Sequence, residues 1–280
     1  MQWGPFVQGD ILNQDDLDRA FEQYRPKAVI HFAALAYVGE SVDRPLAYYR
    51  NNVSGLTNVL DVMVRHRADT IVFSSSCASY GIPAVLPVAE DAPQQPISPY
   101  GHSKLMCEQI LKNLATARNF RVALLRYFNA CGADPDGQLG ERHDPETHLI
   151  PLAIDAASGR GPPLRIFGAD YPTADGTCER DFIHVSDLAT ARVAALNGPS
   201  NGSETLVLNL GTGRSFSILE VVSAIERVSG YTVPVIRGPR RPGDPATLVA
   251  DASRAERILH FKPKYSDLET IIETTWRSRA

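Results

Sequence analysis

Cysteine is scarce in this 280-residue sequence, and the four present, Cys77, Cys107, Cys131 and Cys178, show no paired C-x-x-C spacing. A disulfide scaffold is thereby excluded, and reduced thiols are expected. The seven histidines fall in no H-x-x-x-H or H-E-x-x-H array, so no metal site is expected either. Excess positive charge is also missing: 28 basic against 32 acidic residues give a net charge of −4, with no basic stripe of the kind a nucleic-acid binder needs. Any anionic ligand must then be held by a few local arginines. No apolar run approaches the length of a membrane span. Met1 to Asp10 has neither a basic start nor a signal-like apolar stretch. The expectation is a cytoplasmic protein with no nucleic-acid or membrane partner. Internal repeats and low-complexity tracts are absent as well.

What is present is enough apolar residue, 44% of the chain, to bury a large core. The first half alternates strand-like runs with amphipathic helices: Pro5 to Val7 then Asp15 to Tyr24; Ala28 to Phe32 then Leu46 to His66; Thr70 to Phe73 then Tyr100 to Arg118; then Arg121 to Tyr127. This alternation predicts an α/β fold, a Rossmann-like doubly wound parallel sheet covered on both faces. Ligands of such sheets sit at the carboxyl ends of strands. Here those ends carry small and polar groups, at His31 to Ala34, Ser74 to Ser76 and Phe128-Asn129. The second half is less regular, with a Gly/Pro/Asp loop from Gly132 to Pro145, a helix near Leu149 to Ser158 and a Pro-rich stretch from Arg237 to Pro245. It reads as a smaller α/β substrate-binding region. The division expected is a nucleotide-binding domain over 1–129 and a substrate domain over 130–280, some of whose segments return to the first.

Tyr100-x-x-x-Lys104 opens a helical pattern, so the two side chains share a face one turn apart. An ammonium near a phenol favours the phenolate and brings tyrosine, with its reference pKa of about 10, toward proton transfer at neutral pH. With ten tyrosines and five lysines, chance would supply such a pair in roughly one chain in five or six. Context strengthens the signal: Pro99 gives a rigid helix entry, and the strand end at Ser74 to Ser76 offers hydroxyl donors.

Several runs occur in one order: FSSSCASYG from Phe73 to Gly81, SPYGHSK from Ser98 to Lys104, RYFN from Arg126 to Asn129, GTCERDFIH from Gly176 to His184, and RRPGD from Arg240 to Asp244. Taken together they resemble the UDP-glucose 4-epimerases, extended short-chain dehydrogenase/reductases, from about Gln8 to the last helix. The resemblance implies NAD as cofactor, a UDP-sugar as substrate and a homodimer. It implies Tyr100 as acid/base, Lys104 as its tuner and holder of the nicotinamide ribose, and Ser76 as hydrogen-bond partner of the reacting hydroxyl. Asp10 and Ile11 would flank the adenine; Phe32, Ala33, Ala34, Leu35, Ala36, Asn52 and Ser74 would line the dinucleotide, with Phe128 near the nicotinamide. Asn129, His148, Leu149, Arg165, Phe167, Arg180, Arg241 and Asp244 would hold the substrate. Leu248 would limit substituents at sugar C2. Guanidinium groups suit the diphosphate because they meet phosphate oxygens in a bidentate fork.

The resemblance also implies a leading strand, Gly-rich turn, helix and second strand, roughly 40 to 50 residues whose helix N-terminus receives the pyrophosphate. None precedes Pro5, whose segment resembles a third strand, so the sheet is expected to lack these elements, and the 280-residue chain alone is expected to carry no bound NAD and show no epimerase activity, both of which a version extended upstream would regain. Leu206 to Leu210 followed by Gly211-Thr-Gly213 imitates a dinucleotide loop, but Phe216 stands at the third glycine position. Ser217-Ile-Leu-Glu220 reads instead as a capping box. A 4,6-dehydratase would need a carboxylate beside the serine, and Ser74 to Tyr80 contains none. The reading is a UDP-glucose/UDP-galactose 4-epimerase; UDP-xylose/UDP-arabinose epimerisation and an inactive UDP-sugar-binding remnant are the alternatives.

Overall fold

The first regular element, α1 (Gln14–Tyr24), starts because Asn13 Oδ1 accepts from Asp15 N at 3.0 Å while Asp15 and Asp16 place negative charge on the first turn. It stops where Arg25 turns left-handed, φ 46°. Residues 4–198, 205–241 and 243–279 are described in a computed structural model; Pro242 of the RRPGD run lies outside them. Along the chain follow β1 (Ala28–His31), the short helices α2 (Val38–Asp43) and α3 (Pro45–Tyr48), a π-helical segment (Tyr49–Ser54), α4 (Gly55–Arg65), β2 (Thr70–Ser76), a 3₁₀ turn (Cys77–Ser79), α5 (Pro99–Arg118), β3 (Arg121–Tyr127) and β4 (Asn129–Cys131). Then come α6 (Leu149–Ala157), β5 (Leu164–Phe167), β6 (Glu179–Arg180), β7 (Phe182–His184), α7 (Val185–Asn197), β8 (Leu206–Leu210), β9 (Phe216–Ser217), α8 (Ile218–Ser229), β10 (Val235–Gly238), β11 (Thr247–Leu248), α9 (Ser253–Leu259) and α10 (Leu268–Arg279).

The chain divides into two units, one of residues 1–80, 94–125 and 195–207, the other of 81–93, 126–194 and 208–280. In the first, β1 pairs in parallel with β2, Ala28 opposite Thr70 and His31 opposite Phe73, within a sheet ordered β1-β2-β3-β8. Every position of β2 is buried, as expected of a strand covered on both faces. The core of this unit joins Phe21 of α1, Leu56, Val59, Leu60 and Met63 of α4, Ile71 and Phe73 of β2, Leu111 of α5 and Leu124 of β3. The α/β class and the parallel strands agree with the sequence reading.

Two local expectations do not hold. Pro5 to Val7 forms no strand; residues 5–10 are irregular and exposed. The single helix expected over Leu46 to His66 is instead α3, a π turn and α4. The wider π turn carries the buried Asn52, whose carbonyl accepts from Cys107 Sγ at 3.3 Å and whose side chain clasps another segment. Hydrophobic periodicity does not signal such insertions, which gather at functional sites.

In the second unit, α6, α8 and α10 pack Ile150, Ile154, Val221, Ile225, Ile271 and Ile272 into a separate core, against Phe182 and Ile166. The parallel pairs β4–β7 and β5–β10 and the trio β11-β6-β9 complete it. The capping box read at Ser217 is present: Ser217 Oγ accepts from Glu220 N at 3.0 Å, and Glu220 accepts from Ser217 N at 2.7 Å. Among the described residues no helix is long and apolar enough to cross a membrane.

Candidate active site

In the first unit the candidate acid/base pair lies at the start of α5. Ser98 caps that helix, its Oγ accepting from Gly101 N at 3.1 Å, and Pro99 occupies the first turn. Gly101 is required by a close approach: a Cβ there would fall 2.5 Å from the Ala78 carbonyl oxygen. Its bare backbone lets the helix start rest on the 3₁₀ turn that follows β2, which Ser76 caps. Ser76 is buried, its Oγ accepting from Ala78 N at 3.2 Å.

Lys104 is buried, and its Nζ donates to the Ser74 carbonyl at 2.8 Å. It lies 5.8 Å from the Tyr100 ring centroid and 5.0 Å from that of Phe73. Burial pulls the Lys104 ammonium down to about 8, while Cys107 and Glu108 hold it up. Burial, with the Lys104 charge second, keeps His31 neutral by lowering it to about 4. Tyr48 stands edge-on to Tyr100, centroids 6.4 Å apart.

The depressed Lys104 value has a consequence for stability. In the folded chain Lys104 binds fewer protons than in the unfolded chain between pH about 8 and 10.5, so stability rises with pH across that window. Holding the charge at neutral pH costs on the order of 3 kcal/mol. Lys104→Met should therefore raise the melting temperature at pH 7 and flatten its alkaline pH dependence while lowering turnover. A variant less stable than the parent at pH 7 would contradict this.

The expected dinucleotide residues are organised by Asn52. Its Oδ1 accepts from Leu35 N at 2.8 Å, and its Nδ2 donates to Leu35 O and to Ser103 Oγ, both at 3.0 Å. The amide is thus committed to shaping the loop of Phe32, Ala33, Ala34, Leu35 and Ala36 at the carboxyl end of β1. Phe32 is 56% exposed there. Asp10 starts the turn before α1, its carboxylate accepting from Leu12 N at 2.9 Å, and Ile11 packs on Gly55, where a Cβ would fall 2.5 Å from it. Ser74 Oγ is buried with no hydrogen-bond partner among the described residues, a group that a bound polar ligand satisfies. Lys104 has three N–H donors. The residues present fit the nicotinamide-ribose end of a dinucleotide.

In the second unit, Arg180 is buried and forms an ion pair with Asp244; its Nη1 donates to Glu179 O at 2.7 Å. Leu248 is buried and stands opposite Arg180 in the β6–β11 register. Arg241 stacks on Phe167, with Cζ 3.9 Å from the ring centroid, and Phe167 pairs with Gly238 across β5–β10. Arg165 lies on the same strand, exposed. Phe128 N donates to Leu210 O at 3.2 Å and Asn129 N to Asp181 O at 2.9 Å, fixing the exit of β3. His148 and Leu149 begin α6. The Glu141 hydrogen bond, against the opposing effect of burial, raises the His148 pKa.

The sequence reading did not single out Asp181, which is buried and accepts from Thr212 N and Oγ1, Gly213 N and Ala250 N. The glycine turn that imitates a dinucleotide loop is therefore filled by the protein's own carboxylate. A Cβ on Gly211 would fall 2.5 Å from Asp181 Oδ2. Burial pushes the Asp181 carboxyl up, and the Thr212, Ala250 and Gly213 donors draw it back down, leaving it above the ordinary value.

A model of the NAD dependent epimerase/dehydratase family matches residues 2–211. The chain belongs to this family. It is 46% identical over 276 residues to the UDP-glucose 4-epimerase of Rhizobium meliloti (strain 1021), covering 99% of this chain and 84% of that one. The crystal structure of UDP-glucose 4-epimerase from Brucella ovis in complex with NAD superposes with a TM-score of 0.93 at 53% identity, covering 98% of this chain and 84% of that one. The UDP-glucose 4-epimerase from Bifidobacterium longum in complex with NAD+ and UDP gives 0.93 at 40% identity, with 97% and 82% covered.

Proposed function

We propose that this protein interconverts UDP-glucose and UDP-galactose in the cytoplasm, with NAD as its resident cofactor. The observation that carries this reading is the buried Lys104 beside Tyr100 at the end of a fully buried parallel strand, in a chain of this family. Tyr100 takes the proton from the sugar 4-hydroxyl, and the nearby Lys104 charge favours the phenolate that accepts it. Ser76 orients that hydroxyl. NAD, when bound, would supply the hydride acceptor and donor for sugar C4. Tyr100 then gives its proton back, so the reaction involves no net oxidation. Arg180, oriented by Asp244, and Arg241, held on Phe167, meet the diphosphate and keep the keto sugar tethered while it turns over. The test is UDP-galactose formation from UDP-glucose by purified protein without added stoichiometric oxidant; absence of conversion in the NAD-loaded protein overturns the reading.

Leu248 supports a plain hexose over an N-acetylated one, because its branched side chain fills space beside Arg180 that an acetamido group would need. Turnover of UDP-N-acetylglucosamine is expected to be lower than that of UDP-glucose by about 10-fold or more, with a gain in Leu248→Cys. Equal rates on both sugars in the parent would refute this. We also propose a homodimer: Val38 and Val42 of α2, Leu46 of α3 and Met106 of α5 are 49, 62, 75 and 43% exposed, an apolar surface that a second copy can cover. A monomeric mass in solution at micromolar concentration would count against it.

A further inference from the structure

The loop from Gly140 to His148 brings together three metal-ligating side chains that the spacing of the histidines along the sequence did not reveal. Glu141 Oε1 lies 3.0 Å from His143 Nε2 and 2.8 Å from His148 Nδ1. One ligand atom from each of the three lies within 4.8 Å of the others. The imidazole rings are tilted, with centroids 5.1 Å apart, and converge on one carboxylate oxygen. Zinc bonds to histidine nitrogen and carboxylate oxygen are each about 2.0–2.2 Å, which makes the edges of a tetrahedral site about 3.3 Å. Two of the three edges, 3.0 and 2.8 Å, are already within about 0.5 Å of that length, and the third is no longer than 4.8 Å.

A ring of outer contacts holds the cluster. Glu146 Oε1 accepts from Thr147 N at 2.9 Å and His148 N at 3.0 Å, and lies 3.1 Å from His148 Nδ1. Arg279 of α10 reaches Glu146 Oε2 and the Glu141 carbonyl, each at 3.4 Å, and is itself anchored on Asp155 of α6. Gly140 packs against Ser278, where a Cβ would fall 2.8 Å from the serine Cβ. Such outer partners orient the ligands of metal sites. The side chains of His143 and His148 are 42 and 43% exposed, so an ion can enter and a water can complete the shell.

We propose that Glu141, His143 and His148 form a binding site for one divalent transition-metal ion of the zinc type. Two imidazoles and one carboxylate favour zinc, cobalt or nickel over magnesium or calcium, which prefer all-oxygen shells. The ion would fix the loop that leads into His148 and Leu149. The proposal is independent of the epimerase reading, because binding is measured without substrate.

The test uses the whole purified protein, stripped with a chelator and titrated with Co²⁺ and, separately, with Zn²⁺ against a chromophoric competitor. One equivalent of Co²⁺ per chain is expected, with the intense visible absorption of a four-coordinate ion, displaced by Zn²⁺. Glu141→Gln and His143→Ala should each weaken binding at least about 10-fold with an unchanged circular dichroism spectrum. His143→Gln, which keeps bulk and polarity at an exposed position, separates ligand loss from misfolding. Stoichiometric binding absent from the parent, or retained at parental affinity in folded Glu141→Gln and His143→Gln, overturns the site.

Discussion

Tyr100→Phe is expected to lower epimerase turnover by at least about 10²-fold while leaving UDP-sugar affinity within a few-fold of the parent. The substitution removes only a hydroxyl. The ring keeps its edge-on contact with Tyr48, the Ser98 cap and the Gly101 approach are untouched, and Lys104 stays on Ser74 O. A positioned acid/base acts on the proton in flight, so its loss falls on kcat, whereas KM reflects ground-state contacts that the substitution leaves unchanged. Single-turnover measurement of keto-sugar formation gives the cleanest reading. A rate within threefold of the parent would remove Tyr100 from the chemical step.

The placement of Tyr100 and Lys104 at the start of α5, with Lys104 against the serine-rich end of β2, was legible in the sequence because each part has a local signature: a hydroxyl-rich strand end, a Ser-Pro helix entry, and a one-turn Tyr-Lys spacing. The parallel sheet was legible from alternation alone. Other features depend on residues distant in sequence. Asn52 reads as one polar residue on a helix, and only the fold shows it clasping Leu35, 17 positions away. The nearness of Glu141, His143 and His148 was not legible because they come from an irregular loop whose path has no period, and the usual signature is histidines on one helix face. Conversely, Gly211-Thr-Gly213 looked like an anion-binding turn and is one. Its anion is Asp181, 31 residues earlier in the chain, and no local pattern could reveal that.

That internal anion makes the second large prediction. Asp181→Ala should destabilise the protein by about 2–4 kcal/mol, a large fraction of the net stability of an ordinary domain. Four donors, Thr212 N, Thr212 Oγ1, Gly213 N and Ala250 N, lose their acceptor in a region where Ala250 and Leu210 are fully buried. The Ala250 N bond is buried, so its loss costs about 1–3 kcal/mol, while the part-buried Thr212 and Gly213 donors recover part of theirs from water and Thr212 Oγ1 keeps Arg214 O at 3.2 Å. Asp181→Asn distinguishes the loss of shape from the loss of acceptors. Its carbonyl can still serve Thr212 at Oδ1, but its amide would point N–H groups at Gly213 N and Ala250 N, donors facing donors. Asn should therefore recover little of the lost stability despite its matching volume. The consequence extends to Arg180, for which a diphosphate contact is proposed, because Asp181 follows it directly and its own N donates to Leu248 O at 3.1 Å. Loosening it frees the β6–β11 pairing that sets Arg180 opposite Leu248. Both variants should thus lose UDP-sugar affinity as well as thermal stability, and an Asp181→Asn protein as stable as the parent would show that the turn does not depend on its carboxylate.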